Sequence, residues 1–468
     1  MGASASSKRP TRNTILDNLM RKLLQIAFAI NIFLNLTNLF VFIPAWLGLP
    51  LRLIGGLMLL VNLAYLFSER AVLADLLRHK LTWALLVLFF IWPLLGALFP
   101  MFNGYSMKRE IVLQAFYATT LLGAGVYVLR VSYARARLLA YACFGVSIVG
   151  IFAQIFLPGF FMSVAVMAEH SGETFAFGRA AGFFVNPNVA GRFVILMYLL
   201  LMLSPKKLGA LEILAVTTVS FAAVLLTASR SSLLLSMGVI VYVIGHRFSV
   251  PYIRGRMTFS PGRFVLGSIT IVVLAVMAAF ILPLASKFVL EKTDVGSTKH
   301  ASERFDFFAH GFGGFVDRVE EEAVKRWYTV EPYVDGFKES WLFGRGLSGY
   351  RIYKTENYLA LTPHNTIFAM WLNYGVFYVL FGFFCFFVVA VSPRMRLVEN
   401  HLGMSFAPIL FLTLLGIMFT YDGLFAQRGF YIMVGLFLGL YCAPVRWFDF
   451  DRNMSEAPLL GKSRRRRQ

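Results

Sequence analysis

The chain has 468 residues, of which 58% are hydrophobic and only 15% charged, with a net charge of +20. Runs of about 20 apolar residues recur along it, each long enough to cross a bilayer as a helix, which excludes a string of ordinary soluble domains. No basic folded domain is present to carry nucleic-acid binding, so the surplus Lys and Arg reads as membrane topology and contact with anionic lipid.

A basic tail over 1–22 precedes nine predicted spans within 23–284: 23–42, 51–68, 81–99, 111–129, 138–157, 187–203, 208–227, 231–246 and 264–284. A large loop over 285–363 follows, then three spans (364–391, 403–420 and 429–444) and a basic tail over 445–468. The expected fold is an all-α polytopic membrane protein with about twelve transmembrane helices. The first apolar run is of full spanning length and lacks a small-residue cleavage site, so it reads as a span and not a cleavable signal. With both termini on one side, the tails and loops of that side hold 26 of the 44 Lys and Arg, and the short segments opposite hold seven. The positive-inside rule therefore puts both termini in the cytoplasm and the large loop outside. Cys143, Cys385 and Cys442 all fall in apolar runs and read as packing residues.

Within the loop, "SERFDFFAHGFGGFVDRVEEEAVKRW" spaces Phe305, Phe308, Phe312, Phe315 and Val319 as one face of an amphipathic helix lying on the membrane domain. Its three consecutive glutamates read as a solvated face. "ESWLFGRGLSGY" is a glycine-punctuated turn, and "LTPHNTIFAMWLNYG" opens the next span. There Thr362 is the expected N-cap and Pro363 the first helical residue, which leaves His364 and Asn365 in the first turn.

Arginines collect at the outer helix ends. In "GRAAGFFVNPNVAGRF", Asn186 and Pro187 have the form of an N-cap and first-turn proline, with Arg179 before them and Arg192 one to two turns inside. "LLTASRSSLLL" places Arg230 in a short turn between two spans, and "SERFD" places Arg304 early in the large loop. Each taken singly reads as a side chain snorkelling to head groups. Several at one depth, on the side where basic residues are disfavoured, point to a polyanionic ligand, because helix N-termini and guanidinium forks both bind anions. Of the seven histidines, His364 alone lies at that depth at a helix mouth. A neutral imidazole beside a polyanion is suited to general-base work, and the helix dipole and neighbouring arginines both favour the neutral form.

In this order, "LLTASRSSLLL", "SERFDFF", "SWLFGRGLSGY" and "PHNTIFAMWLNYG" resemble the O-antigen ligase and polymerase superfamily, most of all the lipid A-core surface-polymer ligases. The motifs cover about 180–440, and the twelve-span layout extends the likeness over the chain. The sequence departs at Ser231, where many relatives carry glycine after Ser-Arg. The resemblance implies a GT-C-like membrane glycosyltransferase of the bacterial inner membrane with its active site at the periplasmic face. It would move O-antigen polysaccharide from undecaprenyl pyrophosphate to a sugar hydroxyl of lipid A-core. Carried over, Arg230 and Arg304 would bind the donor pyrophosphate and His364 would be the catalytic histidine. Arg179, Arg192, Arg345 and Arg428 are further candidates for phosphates of donor or acceptor. Asp422, in "TYDGLFAQRG", and Asn365 are candidates to orient the histidine or an arginine. Neither a metal nor a nucleotide cofactor is expected, since no acidic cluster and no Gly-rich phosphate loop occur. The motifs leave repeat-unit polymerase and protein O-oligosaccharyltransferase open. A transporter or flippase for a lipid-linked anion is the rival from another class, disfavoured by the lack of midspan ionisable residues and repeated halves.

Overall fold

The structure is a computed structural model and describes residues 12–96, 107–168, 179–184, 186–202, 208–248, 324, 327–359, 362–395, 406–420 and 427–443. The expected span 264–284, the Phe305–Val319 helix, most of both tails, Arg304 and Asp422 lie outside the described residues. Among the described residues every regular element is helical. The first group comprises α1 (Arg12–Leu36), α2 (Leu39–Leu47), α3 (Leu51–Ser68), α4 (Arg70–Leu77), α5 (Lys80–Gly96), α6 (Met107–Arg130), α7 (Tyr133–Phe156) and α8 (Pro158–Ala168). The middle group is α9 (Pro187–Met202), α10 (Ala210–Leu226) and α11 (Arg230–Phe248). Beyond the large loop come α12 (Val334–Glu339), α13 (Gly349–Glu356), α14 (Thr366–Tyr374), α15 (Val376–Val391), α16 (Phe406–Thr420) and α17 (Arg428–Cys442).

Stretches of α1, α3, α6 and α7 are each long and apolar enough to cross a membrane. The pair α4–α5, bent by 90°, makes a fifth if taken as one span. Apolar stretches of α9, α10, α11, α15 and α17 are shorter. This set fits a membrane-embedded protein. Two expected spans are interrupted. The first breaks after Leu36, where Asn38 adopts φ 58°, and α2 continues from Leu39. The tenth divides at Gly375, whose φ of 81° separates α14 from α15.

The bundle closes around α9. Apart from Asn188 and Leu200, every residue of this helix is buried, and it contacts α7, α10 and α11. A helix apolar on nearly every side belongs in such a place; Arg192, 4% exposed, is its one charged residue. Across the bundle α17 lies directly on α6. A side chain at Gly435 would strike the Leu121 carbonyl, and one at Gly439 would lie 2.7 Å from the Gly125 carbonyl. Two small residues four apart let the backbones meet, as lipid-embedded helices often do. A third tie is polar. The buried Asn31 amide donates to Asn62 Oδ1, Asn62 donates to Thr120 Oγ1 (2.9 Å), and Asn35 donates to Asn31 Oδ1 (2.6 Å). These bonds fasten α1, α3 and α6 where unsatisfied amides would be costly. Cys143, Cys385 and Cys442 are free and buried, in line with the packing role expected of them.

Candidate functional site

At one end of the bundle the segment before α9 is clamped between α7 and α10. Gln154 Oε1 accepts from the N–H groups of Ala181 and Gly182 (2.7 Å each), while Ala180 N–H donates to the Leu226 carbonyl (3.0 Å). Asn38 Nδ2 holds the Phe183 carbonyl (2.9 Å). Asn186 then caps α9 as expected, its Oδ1 accepting from Asn188 N–H (2.9 Å), with Pro187 the first helical residue. Arg179 is fixed by this folding. Its Nε donates to the Thr227 carbonyl (3.0 Å) and an Nη to Asn188 Oδ1 (2.7 Å).

Thr227 belongs to the turn from which α11 starts. Ala228 takes the left-handed conformation (φ 47°), Ser229 Oγ donates to Ser232 Oγ (2.9 Å), and Arg230 is the first residue of α11. The turn is therefore made upstream of Ser231, so the missing glycine there does not disturb it. On the facing helix, a side chain at Gly191 would meet Ser232 at 2.7 Å and Thr227 Oγ1 at 3.1 Å, so α9 packs closely on this turn at the residue before Arg192. Arg179 is thus bonded to the turn from which Arg230 opens α11, and Arg192 lies on α9, the helix packed against that turn. Arg428 joins them less closely. Its guanidinium lies 3.7 Å from the Phe40 ring centroid, and the next residue, Gly429, packs against Phe193 beside Arg192. The aromatic face holds the cation in place.

The histidine segment differs from expectation. Asn365, not Thr362, caps α14, accepting at Oδ1 from Ile367 N–H (2.9 Å) and Phe368 N–H (3.1 Å). Asparagine is the stronger cap, and its two bonds to the first turn start the helix three residues later. His364 stands just outside, exposed, with φ 43° and Nδ1 3.5 Å from Thr362 Oγ1. The Pro363 carbonyl accepts from Thr329 Oγ1 (3.3 Å), which anchors the segment to the large loop. α16 touches both α14, which begins two residues after the histidine, and α11, which begins at Arg230.

Arg345, expected among the phosphate ligands, is occupied otherwise. Its two terminal nitrogens donate to Glu356 Oε2 and Glu339 Oε2 (2.6 Å each), and its guanidinium lies 4.9 Å from the Tyr353 ring centroid. Burial works against the charge, but the two carboxylates outweigh it and raise the pKa. The surrounding glycine turn is a cap: Arg345 N–H donates to Leu372 O (2.8 Å) and Gly346 N–H to Asn373 O (2.7 Å), closing the C-terminal end of α14. That end is about 12 Å from the histidine end, one length of a nine-residue helix.

The chain matches no protein-family model and no curated protein. The site therefore rests on its own chemistry. Helix N-termini and guanidinium groups converge at one end, and both favour an anion. Among the described residues no three His, Cys, Asp or Glu side chains gather as a metal site. Sequence reading missed Gln154, Asn188 and Thr227, which hold Arg179 in place. Gln154 carried a signal, as the lone amide in the apolar run "GIFAQIF"; the other two look like ordinary helix-end residues.

Proposed function

We propose that this chain is an inverting glycosyltransferase of the bacterial inner membrane, an O-antigen ligase with both termini cytoplasmic and its site periplasmic. It moves polysaccharide from undecaprenyl pyrophosphate to a sugar hydroxyl of lipid A-core and needs neither metal nor nucleotide. The observation that carries this reading is the arginine arrangement: Arg179, bonded to the Thr227 carbonyl, lies on the turn from which Arg230 opens α11, with Arg192 on the facing helix.

In the reaction the acceptor oxygen attacks the anomeric carbon, the bond from that carbon to the pyrophosphate oxygen breaks, and the pyrophosphate leaves with the electron pair. His364 takes the proton from the acceptor hydroxyl; its exposure leaves it open to a large saccharide. Arg230 and Arg304 stabilise the charge growing on the departing pyrophosphate, as preorganised cations do in acyl and phosphoryl transfer. Single displacement inverts the anomeric centre.

Purified protein, lipid-linked polysaccharide and lipid A-core, assayed with chelator and without nucleotide, test this directly. Transfer under those conditions is the expected result. In cells, a deletion strain should lose every polymer-bearing lipopolysaccharide band. Core carrying one repeat would instead mark a repeat-unit polymerase.

A further inference from the structure

Tyr358 stands at a position made for glycine. α13 ends at Glu356, after which Tyr358 N–H donates to Thr355 O (3.3 Å) and Leu359 N–H to Lys354 O (2.9 Å). This pair of bonds closes a helix with its next-to-last partner in the left-handed region, where glycine is favoured because it has no Cβ. Tyr358 has φ 53° there. A bulky side chain in that region is a genuine outlier, and such strain collects at functional positions.

Packing does not explain the tyrosine. It is 94% exposed, the highest value among the large hydrophobic side chains of the described residues. Neither its ring nor its hydroxyl enters an aromatic pair or hydrogen bond among them. The contrast with Phe343 is informative, since that exposed ring lies 6.1 Å from Phe377 on the apolar outer face of α15, as a membrane-interface aromatic would. Tyr358 meets no such face.

The chain carrying it is nevertheless fastened on both sides. Leu359 packs with Tyr333, Tyr353 and Leu372, and Pro363 is tied to Thr329. Six residues after Tyr358 comes His364, the second exposed ring in a left-handed conformation. Six residues of chain reach at most roughly 22 Å, so the backbones that carry the two rings lie within the length of a short oligosaccharide.

We infer that Tyr358 is a saccharide-stacking residue, its ring receiving a pyranose of the glycan whose reacting end lies at His364. The inference rests on the transfer reading above and adds a binding residue to it. A pyranose presents an apolar C–H face that suits an aromatic face, and the phenol hydroxyl remains free to bond a sugar hydroxyl. The pyranose could belong to the polysaccharide donor or to the core acceptor, and the two sources are separable by experiment.

Full-length protein with Tyr358→Gly, Tyr358→Ala or Tyr358→Phe would be compared with the parent in melting temperature and in surface-plasmon binding of two glycolipids. One is rough lipopolysaccharide, which carries core but no polymer; the other is undecaprenyl-pyrophosphate polysaccharide. Tyr358→Gly should raise Tm by relieving strain while weakening one glycolipid about three- to tenfold. Tyr358→Ala should weaken the same one, and Tyr358→Phe should keep most of the affinity. Whichever glycolipid responds identifies the source. Parental affinity for both in the Gly and Ala variants would overturn the inference, as would a parent that binds neither. Binding needs no turnover: a parent that binds both but transfers nothing sinks the transfer reading alone. If Tyr358→Gly lowers Tm, the Ala and Phe pair still decides.

Discussion

The hydroxyl of Tyr378, on α15, donates to the Leu88 carbonyl of α5 across 2.8 Å, both residues being buried. The reason lies in α5. It widens to a π turn over Val87–Ile91, with Trp92 N–H bonded to Val87 O, five residues back. The next donor in that register would be residue 93, a proline with no N–H. Tyr378 supplies what the helix lacks. Replacing it by phenylalanine keeps the ring but strands a buried carbonyl, which should cost about 1–3 kcal/mol. Thermal unfolding in detergent should show a lower Tm, and a parental Tm would mean that the carbonyl finds another donor.

Gly435 should tolerate no side chain. Its hydrogen faces the Leu121 backbone, so Gly435→Val must separate α17 from α6 and should cost at least about 1–3 kcal/mol. Gly56, inside α3, has open space where a Cβ would go, so Gly56→Ala should stabilise by about 0.5–1 kcal/mol. Opposite shifts in Tm are expected; equal ones would refute the helix contact.

The two residues that open α14 should separate stability from catalysis. Asn365→Ala removes the cap and should lower stability by about 1 kcal/mol. His364→Gln should leave Tm unchanged, because the ring is exposed, yet lower transfer by about 10²–10⁴-fold, since glutamine bonds but does not take the proton. A His364→Gln protein transferring at the parental rate would remove this histidine from the mechanism.

Arg230 and Arg345 should respond differently to lysine. Arg230→Lys and Arg304→Lys exchange a planar fork for a point charge and should lose most transfer while folding normally. Arg345→Lys cannot span Glu339 and Glu356 together, so it should lower Tm while activity per folded molecule holds. Near-normal transfer by Arg230→Lys and Arg304→Lys would return those arginines to snorkelling.

Orientation is open to chemical labelling. A cysteine placed at Gly313 or Glu321 should react with a membrane-impermeant thiol reagent in cells permeable only at the outer membrane. Reaction only after inner-membrane lysis would place the large loop in the cytoplasm and remove the periplasmic mechanism.

What the sequence determined by itself is what depends on local chemistry. Apolar runs must become helices in lipid, where backbone groups have no water to bond. Asn186 and Pro187 announced a helix start, since capping involves only the next few N–H groups. Tertiary structure decided what depends on the partner across the gap. Thr362 and Asn365 are both competent caps, and the choice followed from Thr329 holding Pro363 and Asn365 reaching two N–H groups. Arg345 and Arg230 look alike as arginines beside turns; only folding brought two carboxylates to the first and bonded Arg179 to the turn from which the second opens its helix. The Asn31–Asn62–Thr120 chain was unreadable for the same reason: its members lie 31 and 58 residues apart, and an isolated amide in an apolar run does not name its partner.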